Sequence, residues 1–334
     1  MIKEAVQALV EDKTLSRSDA YEVFIDIMSG DATPVQIGSF LTALRIRSET
    51  SDVIAGAVQA MREKLTPVKT PAEITVDIVG TGGDGFNTFN ISTAAAFVVA
   101  GTGVTVAKHG SRGVSSRCGS ADVLKELGVD LTVSEAVMEK CLNEIGIAFL
   151  FAPSLHPAMK YATGPRKDLG FWTLFNILGP LANPAGAQHG VIGAFSGRLA
   201  AQLAEALSML GAKHLFVVSG DDGLDEITTT TTTQVWEVKG SIIRQFTINP
   251  DELGLPRAEV ADLGGGEPNE NAAIIRALFA GTKGPKRDIL LLNSAAALVS
   301  AGKVADLKAG IALAAKSIDS GAAQAKLDAL VSAC

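Results

Sequence analysis

Three short stretches carry groups suited to holding a polyphosphate and a cation. The first is GTGGDGFNTFNIST, residues 80–93, directly after the apolar run ITVDIV. Gly80, Gly82 and Gly85 match the G-x-G-x-x-G spacing of a dinucleotide-binding turn. Amides in such a turn and at the start of the alanine-rich helix behind it are unpaired, and the helix dipole favours negative charge there. An ordinary tight turn followed by a cap from Asn90, Ser92 or Thr93 would look the same. Two features count against a dinucleotide. The helix begins only after Asn90, and the next strand, VTVAK, ends in Lys108-His109 where an acid would hold a ribose hydroxyl. Asp84 also sits inside the loop, where a pyrophosphate would lie.

The second stretch, KHGSRGVSSRCGS, holds Lys108, Arg112 and Arg117 with Ser111, Ser115, Ser116 and Ser120. It reads either as a solvated basic turn or as a second phosphate-facing loop. Two anion loops on adjacent strands would suit a ligand with more than one phosphate. The third is SGDDGLDE from Ser219, which places Asp221, Asp222, Asp225 and Glu226 within six residues. Carboxylates this close repel unless water or a cation neutralises them. A solvated turn does so; so does Mg²⁺, which bridges carboxylates and phosphate oxygens. An acidic strand end also marks the common phosphoribosyltransferase fold, but the following TTTTTT lacks the glycine of its pyrophosphate turn.

The remaining reactive residues are few. Cys118, Cys141 and Cys334 are odd in number and widely spaced, forming neither a metal pattern nor a disulfide framework. Cys118 would be reactive if the proposed phosphate loop favours its thiolate. His109 is read as orienting its loop, His189 and His214 as structural.

These stretches need a scaffold to converge. A chain of 334 residues with 47% apolar residues can bury a large core and form two domains. A net charge of −7 disfavours nucleic acid as a partner. No apolar run reaches a membrane span, and MIKEAVQALVEDK lacks a signal-peptide core, so a soluble, cytoplasmic protein is expected. The first 65 residues read as helices, with Ser16 capping YEVFIDIM, Thr33-Pro34 opening VQIGSFLTALRIR, and Ser51-Asp52 opening VIAGAVQAMREKL. Residues 66–73, with two prolines, form a linker. Beyond it ITVDIV, VTVAK, IAFLFA, HLFVVSG, TQVWEVKG and DILLLN read as strands. The helical stretches STAAAFVVAG, LAAQLAEALSML and NENAAIIRALFAG separate them, which points to an α/β fold. The expected division is a helical domain over 1–65, rejoined by a return segment about 161–184, and an α/β domain over 74–334. The threonines of 228–233 are read as strand from their β-branching.

Taken together, GTGGD (80–84), NIST (90–93), KHG-R (108–112), GSADVL (119–124), GPRKDLGF (164–171), FNILGPLANP (175–184) and GLDE (223–226) make the chain resemble the anthranilate phosphoribosyltransferases. The likeness runs in order over nearly the whole length, to NSAAAL (293–298). It implies transfer of phosphoribose from phosphoribosyl pyrophosphate (PRPP) to the amine of anthranilate in tryptophan biosynthesis. It also implies Mg²⁺, a homodimer, and the nucleoside phosphorylase-type (class III) fold, a small helical domain plus a mixed sheet flanked by helices. By position, Gly80, Gly83, Asp84, Thr88, Asn90, Ile91, Ser92 and Thr93 would hold PRPP. Lys108, His109, Gly110, Ser111, Arg112, Gly113, Val114, Ser115, Ser116 and Ser120 would wrap its pyrophosphate and ribose side. Ser92, Asp225 and Glu226 would serve the metal. Arg166 would face the anthranilate carboxylate, with Gly80, Ser111, His156 and Gly179 lining that pocket. Lys108 and Arg166 are the electrostatic candidates for catalysis. The chain departs from the family at Ser111, usually asparagine, and at Trp172, usually arginine. Those departures keep alive a same-fold phosphoribosyltransferase or phosphorylase with another acceptor. A non-catalytic nucleic-acid-binding relative and a Rossmann dehydrogenase are weaker alternatives.

Overall fold

The computed structural model describes residues 1–113 and 117–334; Val114, Ser115 and Ser116, assigned above to the second loop, lie outside the described residues. The chain opens with four helices: α1 (Ile2–Val10), α2 (Arg17–Ser29), α3 (Pro34–Arg47) and α4 (Ser51–Lys64). Ser16 and Thr33 each close a capping box, pairing with Asp19 and Gln36, and Pro34 takes the first helical position. The cap of α4 lies one residue before the expected start. Thr50 Oγ1 accepts from Val53 N at 3.3 Å, while the Ser51 hydroxyl donates to Glu205. Helices α2 and α4 touch closely because Gly56 has no side chain; a Cβ there would fall 2.3 Å from Arg17 O.

After an extended link come β1 (Thr75–Gly80), α5 (Ile91–Ala100), β2 (Thr105–Gly110), α6 (Ser120–Leu127), α7 (Glu135–Lys140) and β3 (Ile147–Phe151). The chain then returns to the first four helices through α8 (Ala152–Leu155), α9 (Lys160–Leu169) and α10 (Phe175–Leu181), with α9 against α2 and α3 and α10 against α4. It re-enters the sheet at β4 (His189–Gly193), α11 (Gly197–Met209), β5 (His214–Gly220), β6 (Thr233–Lys239) and β7 (Ile242–Ile248). It ends in α12 (Pro268–Phe279), α13 (Pro285–Ser300), α14 (Leu307–Asp319) and α15 (Ala322–Ala333).

The seven strands are ordered β3-β2-β1-β4-β5-β6-β7, the first five parallel and the last two antiparallel. Helix α5 joins one core with Val76, Ile78, Val106 and the apolar residues of α13. Helix α11 joins the opposite core, with Phe24, Phe40 and Ile54 of the N-terminal helices and Val217 of β5. The connections leaving β1 and β4 therefore cover opposite faces, and the carboxyl ends of these adjacent parallel strands open a crevice.

Two strand assignments need correction, and two strands were not foreseen. DILLLN lies inside α13, whose residues from Ile289 to Leu298 are all buried. An apolar run buried on every side has the same pattern in a central strand and in a core helix. Of the threonine tract only Thr233 enters a strand; the rest forms a loop whose hydroxyls bind aspartates. The strands β4, HGVIG, and β7, IIRQFTI, complete the sheet without having been foreseen. The first is short and glycine-rich, and the second is exposed over most of its length.

Candidate active site

At the crevice, Gly82, Gly83 and Gly85 have φ of 65°, 83° and 77°, the left-handed region that glycine enters without strain. Gly82 N donates to Asp225 Oδ2 at 2.7 Å. A Cβ on Gly80 would lie 2.2 Å from that same oxygen, and one on Gly193 only 1.6 Å from Asp225 O. The GLDE turn after β5 thus lies across the ends of β1 and β4 only because both end in glycine. Asp84, whose Oδ1 accepts from Phe86 N at 3.1 Å, shares a hydrogen bond with the Asp225 carboxyl. The amides of Gly83 and Gly85 have no acceptor among the described residues.

The electrostatics of this cluster are strained. Burial, then the neighbouring Asp84 charge, pushes the Asp225 carboxyl up to about 7. Burial raises Asp84 as well, so the two neighbouring carboxyls hold protons more readily than isolated ones do. Glu226 is raised well above the usual range by burial and by Asp225, although the Ser92 amide donates to it. Lys108 is lowered by burial against the pull of Asp77 and Glu226, and its Nζ donates to His109 O at 3.2 Å. Thr93 Oγ1 is buried with no partner among the described residues. Asp225 and Glu226, with Asp84 against Asp225, offer hard oxygen donors of the kind that suit Mg²⁺, and Lys108 is drawn by Glu226 as well as by Asp77. Among the described residues no three His, Cys, Asp or Glu side chains form a ready-made metal cage.

The other two acids of the run do different work. Asp222 Oδ2 accepts from Thr228 Oγ1 at 2.8 Å and from Thr230 Oγ1, while Asp221 accepts from Thr232 Oγ1 and from Gln234. The Asp225–Glu226 pair is held from below by Asn293 of α13. Its Oδ1 accepts from Ile227 N and its Nδ2 donates to Ile227 O, both at 2.9 Å. The sequence reading missed this positioning residue, although an Asn-Ser pair within a long apolar run signals it.

The second loop folds back on itself. Gly113 N and Gly119 N both donate to Asp122 Oδ2 at 2.9 Å, and Ser120 Oγ donates to Ser111 O at 3.3 Å. A Cβ on Gly110 would sit 2.1 Å from Ser120 Oγ. Ser111 Oγ donates to Arg112 O at 3.1 Å, and Arg112 is exposed. Asn90 is the N-cap residue of α5 but makes no side-chain cap there. It spans the loops instead: Nδ2 donates to Cys118 O at 3.1 Å, and Oδ1 accepts from Asn271 of α12 at 2.9 Å. Thr88 pairs with Gly264. Burial pushes the Cys118 thiol up to about 11, so the loop does not favour a thiolate. Cys141 and Cys334, 193 residues apart in sequence, meet with Sγ atoms 4.0 Å apart.

On the opposite face of the same strands lies a second polar group. Asp77 accepts from Ile78 N, His109 N and Asn183 Nδ2 at 2.8, 3.2 and 2.7 Å. His109 Nδ1 lies 3.0 Å from Gly179 O, and its Nε2 lies 3.1 Å from His156 Nε2. A carbonyl only accepts, so His109 carries its proton on Nδ1 and His156 donates from Nε2. That leaves the His156 Nδ1 lone pair buried without a partner. Burial pushes the two rings down to about 3 and about 4, keeping both neutral. Arg166, partly buried on α9, lies with Cζ 5.4 Å from the Phe175 ring centroid. His109, His156 and Gly179 are thus brought together, with Arg166 on the neighbouring helix. His189 and His214 are tied to Ser300 O and Glu237, as structural histidines.

Sequence and structure comparisons agree on a relationship. The model of the glycosyl transferase family helical bundle domain matches residues 3–65, and that of the glycosyl transferase family a/b domain matches residues 72–324. An anthranilate phosphoribosyltransferase of Anaeromyxobacter dehalogenans is 52% identical over 333 residues, spanning 100% of this chain and 98% of its own. The enzyme of the same name from Moorella thermoacetica is 50% identical over 331 residues, or 99% and 98% of the two chains. Among solved structures, anthranilate phosphoribosyltransferase from Thermus thermophilus superposes with a TM-score of 0.93 at 43% identity, covering 98% of each chain. The Saccharomyces cerevisiae enzyme in complex with PRPP and Mg has a TM-score of 0.92 at 31% identity, covering 99% of this chain and 97% of its own.

Proposed function

The chain belongs to the anthranilate phosphoribosyltransferase family, and from that premise we propose that it transfers the phosphoribosyl group of PRPP to the amine of anthranilate, with release of pyrophosphate, in tryptophan biosynthesis. The observation that carries the reading is the Asp84–Asp225–Glu226 cluster beside the glycine turn, at the crevice between β1 and β4. Crowded carboxyls next to unpaired amides need both a cation and an anion, and a magnesium-bound polyphosphate brings the two together. The yeast relative was crystallised with that pair.

In this reading Gly80, Gly83, Asp84, Thr88 and the segment from Asn90 to Thr93 hold PRPP, and Ser92, Asp225 and Glu226 hold Mg²⁺. The ion, when bound, supplies positive charge against the negative charge growing on the departing pyrophosphate. Lys108, buried and unable to move far, adds a second fixed cation, and the Gly83 and Gly85 amides donate to the same oxygens. The residues from His109 to Gly113, with Val114, Ser115, Ser116 and Ser120, wrap the ribose phosphate. Arg166 grips the anthranilate carboxylate and orients its amine, with Gly80, Ser111, His156 and Gly179 around the ring. A weakly basic aromatic amine loses its proton only as the new C–N bond forms, so no dedicated base is assigned. The linker 66–73 allows the helical domain to close over the α/β domain and exclude water.

We also propose a homodimer. Val10, Val35 and Ile46, on α1 and α3, are 65%, 78% and 75% exposed, apolar side chains that a second copy would cover. Light scattering that gives a monomer mass would remove that proposal. The activity is tested by Mg²⁺-dependent loss of anthranilate fluorescence on adding PRPP, with the product identified by mass. No loss at any Mg²⁺ concentration would overturn the function. Turnover with nucleobases but not anthranilate would move it to the second reading, which Ser111 and Trp172 support.

A further inference from the structure

Trp172 lies in the short connection between α9 and α10, where it touches three parts of the fold. Arg45 Cζ, at the end of α3, is 5.0 Å from the centre of the indole ring. Phe195, just beyond β4, meets the ring edge-on at 5.7 Å and 88°. The third neighbour is the glycine turn after β1. A Cβ on Gly83 would sit 3.7 Å from Trp172 Nε1 and 3.5 Å from Phe195 Cδ1. The indole Nε1 thus lies beside the turn, and it is buried with no hydrogen-bond partner among the described residues.

An indole nitrogen only donates. The nearest free groups on the turn, the amides of Gly83 and Gly85, also only donate. Gly83 and Gly85 are exposed, so their amides face solvent, and neither can accept from the indole. Buried donors are left unpaired in folded proteins chiefly where something outside the chain supplies the acceptor. Trp172 and Phe195 line one side of the turn, whose Gly83 and Gly85 are exposed, so a ligand from solvent can reach it. The Arg45 cation over the indole face draws electron density from the ring, making its N–H a better donor.

We propose that Trp172 is a ligand-contacting residue of this chain: its Nε1–H donates to an anionic oxygen of the pyrophosphate moiety held by the glycine turn. The inference rests on the function proposed above, with PRPP and its product pyrophosphate as the ligands. It gives Trp172 a role of its own where the family usually carries arginine, because both side chains present N–H donors. It also predicts which substitution the site tolerates. Trp172→Arg keeps a donor, whereas Trp172→Phe keeps the aromatic wall and loses the donor.

Steady-state kinetics on the full-length enzyme compare these two variants, with circular dichroism and Tm confirming that each is folded. Losing a hydrogen bond to a charged oxygen is worth about tenfold or more in affinity. Trp172→Phe is therefore expected to raise KM for PRPP about tenfold with kcat within about twofold, and Trp172→Arg to restore most of that loss. A Trp172→Phe KM equal to wild type would overturn the proposal, as would equal losses in both variants, because the residue would then serve packing alone. A direct readout uses the protein's two tryptophans. Trp236 is on β6, and Trp236→Phe leaves Trp172 as the only indole. Its emission should change saturably with Mg²⁺ and PRPP, and with Mg²⁺ and inorganic pyrophosphate; silence with both, where calorimetry detects binding, overturns the proposal. If calorimetry shows no PRPP binding at all, the functional reading falls. The pyrophosphate titration then still decides whether Trp172 meets an anion: a change in emission supports it, and silence ends it.

Discussion

Strands β1 and β2 carry buried polar groups on both faces, and the two groups obey opposite rules. On one face Asp77, Asn183, His109, His156 and Gly179 form a connected network, with three donors on one carboxylate and one proton on each ring. On the other, Asp84, Asp225 and Glu226 crowd three acids together, reached by the main-chain amides of Phe86, Gly82 and Ser92, and Lys108 is drawn by Glu226 as well as by Asp77. Lys108 and His109 are neighbours in sequence yet serve different faces, because side chains alternate along a strand. Asp77, whose carboxylate takes three donors, holds the strands in place, although His156 Nδ1 has no partner among the described residues; a group whose charge is not balanced is kept for what it binds.

The sharpest break of this contrast is on the acid face. Asp225→Asn combined with Glu226→Gln should lower turnover by roughly 10³-fold while leaving the circular dichroism spectrum and the thermal unfolding cooperative. Near-normal activity at ordinary Mg²⁺ would remove the metal assignment. The opposite pattern is expected from Asn183→Ala, which strips a donor from the buried Asp77. Stability should fall by about 2–3 kcal/mol in denaturant titrations, with kcat of the folded fraction changed less than about tenfold.

pH separates the two faces by sign. The raised carboxyls are easier to protonate in the folded protein than in the unfolded one. Their contribution is therefore greatest below the ordinary carboxylate range and is lost as pH rises toward about 7, where Asp225 ionises. The histidines are held down to about 3 and about 4, so their contribution is complete above the ordinary histidine value and is lost as pH falls below it. Calorimetry should therefore show Mg²⁺ raising Tm more at pH 8 than at pH 6, since protons and the ion compete for the same oxygens. Equal Mg²⁺ shifts at both values would mean that these carboxyls are not the ligands. The smallest effect belongs to Thr230→Val, which removes one hydroxyl from Asp222. It should cost about 1 kcal/mol or less and leave turnover within about twofold, separating the structural pair Asp221–Asp222 from Asp225–Glu226. A large loss of activity there would erase that separation.

Much of this site was legible from residue order alone. GTGGD, KHG and GLDE each follow an apolar run, so their placement at the ends of β1, β2 and β5 needed only strand propensity and glycine chemistry. The capping boxes at Ser16 and Thr33 are local for the same reason, since every atom involved lies within four residues. The misreadings are all long-range. DILLLN became a helix because burial on every side removes the periodicity that tells helix from strand. The threonine tract became a loop because its hydroxyls found aspartates up to 11 residues away.

By itself, then, the order of residues determined the turns, the caps and the kinds of ligand this chain can meet, because these depend on backbone freedom and side-chain chemistry over a few positions. Only the tertiary structure decided which of four neighbouring acids are left short of partners, why Asn293 sits beneath them, and that Trp172 places an unpaired Nε1 beside Gly83. Those outcomes rest on contacts between residues far apart in sequence, 66 positions for Ile227 with Asn293 and 143 for Gly82 with Asp225. Whether a polar group ends buried and paired or buried and waiting depends on what the rest of the fold brings to it.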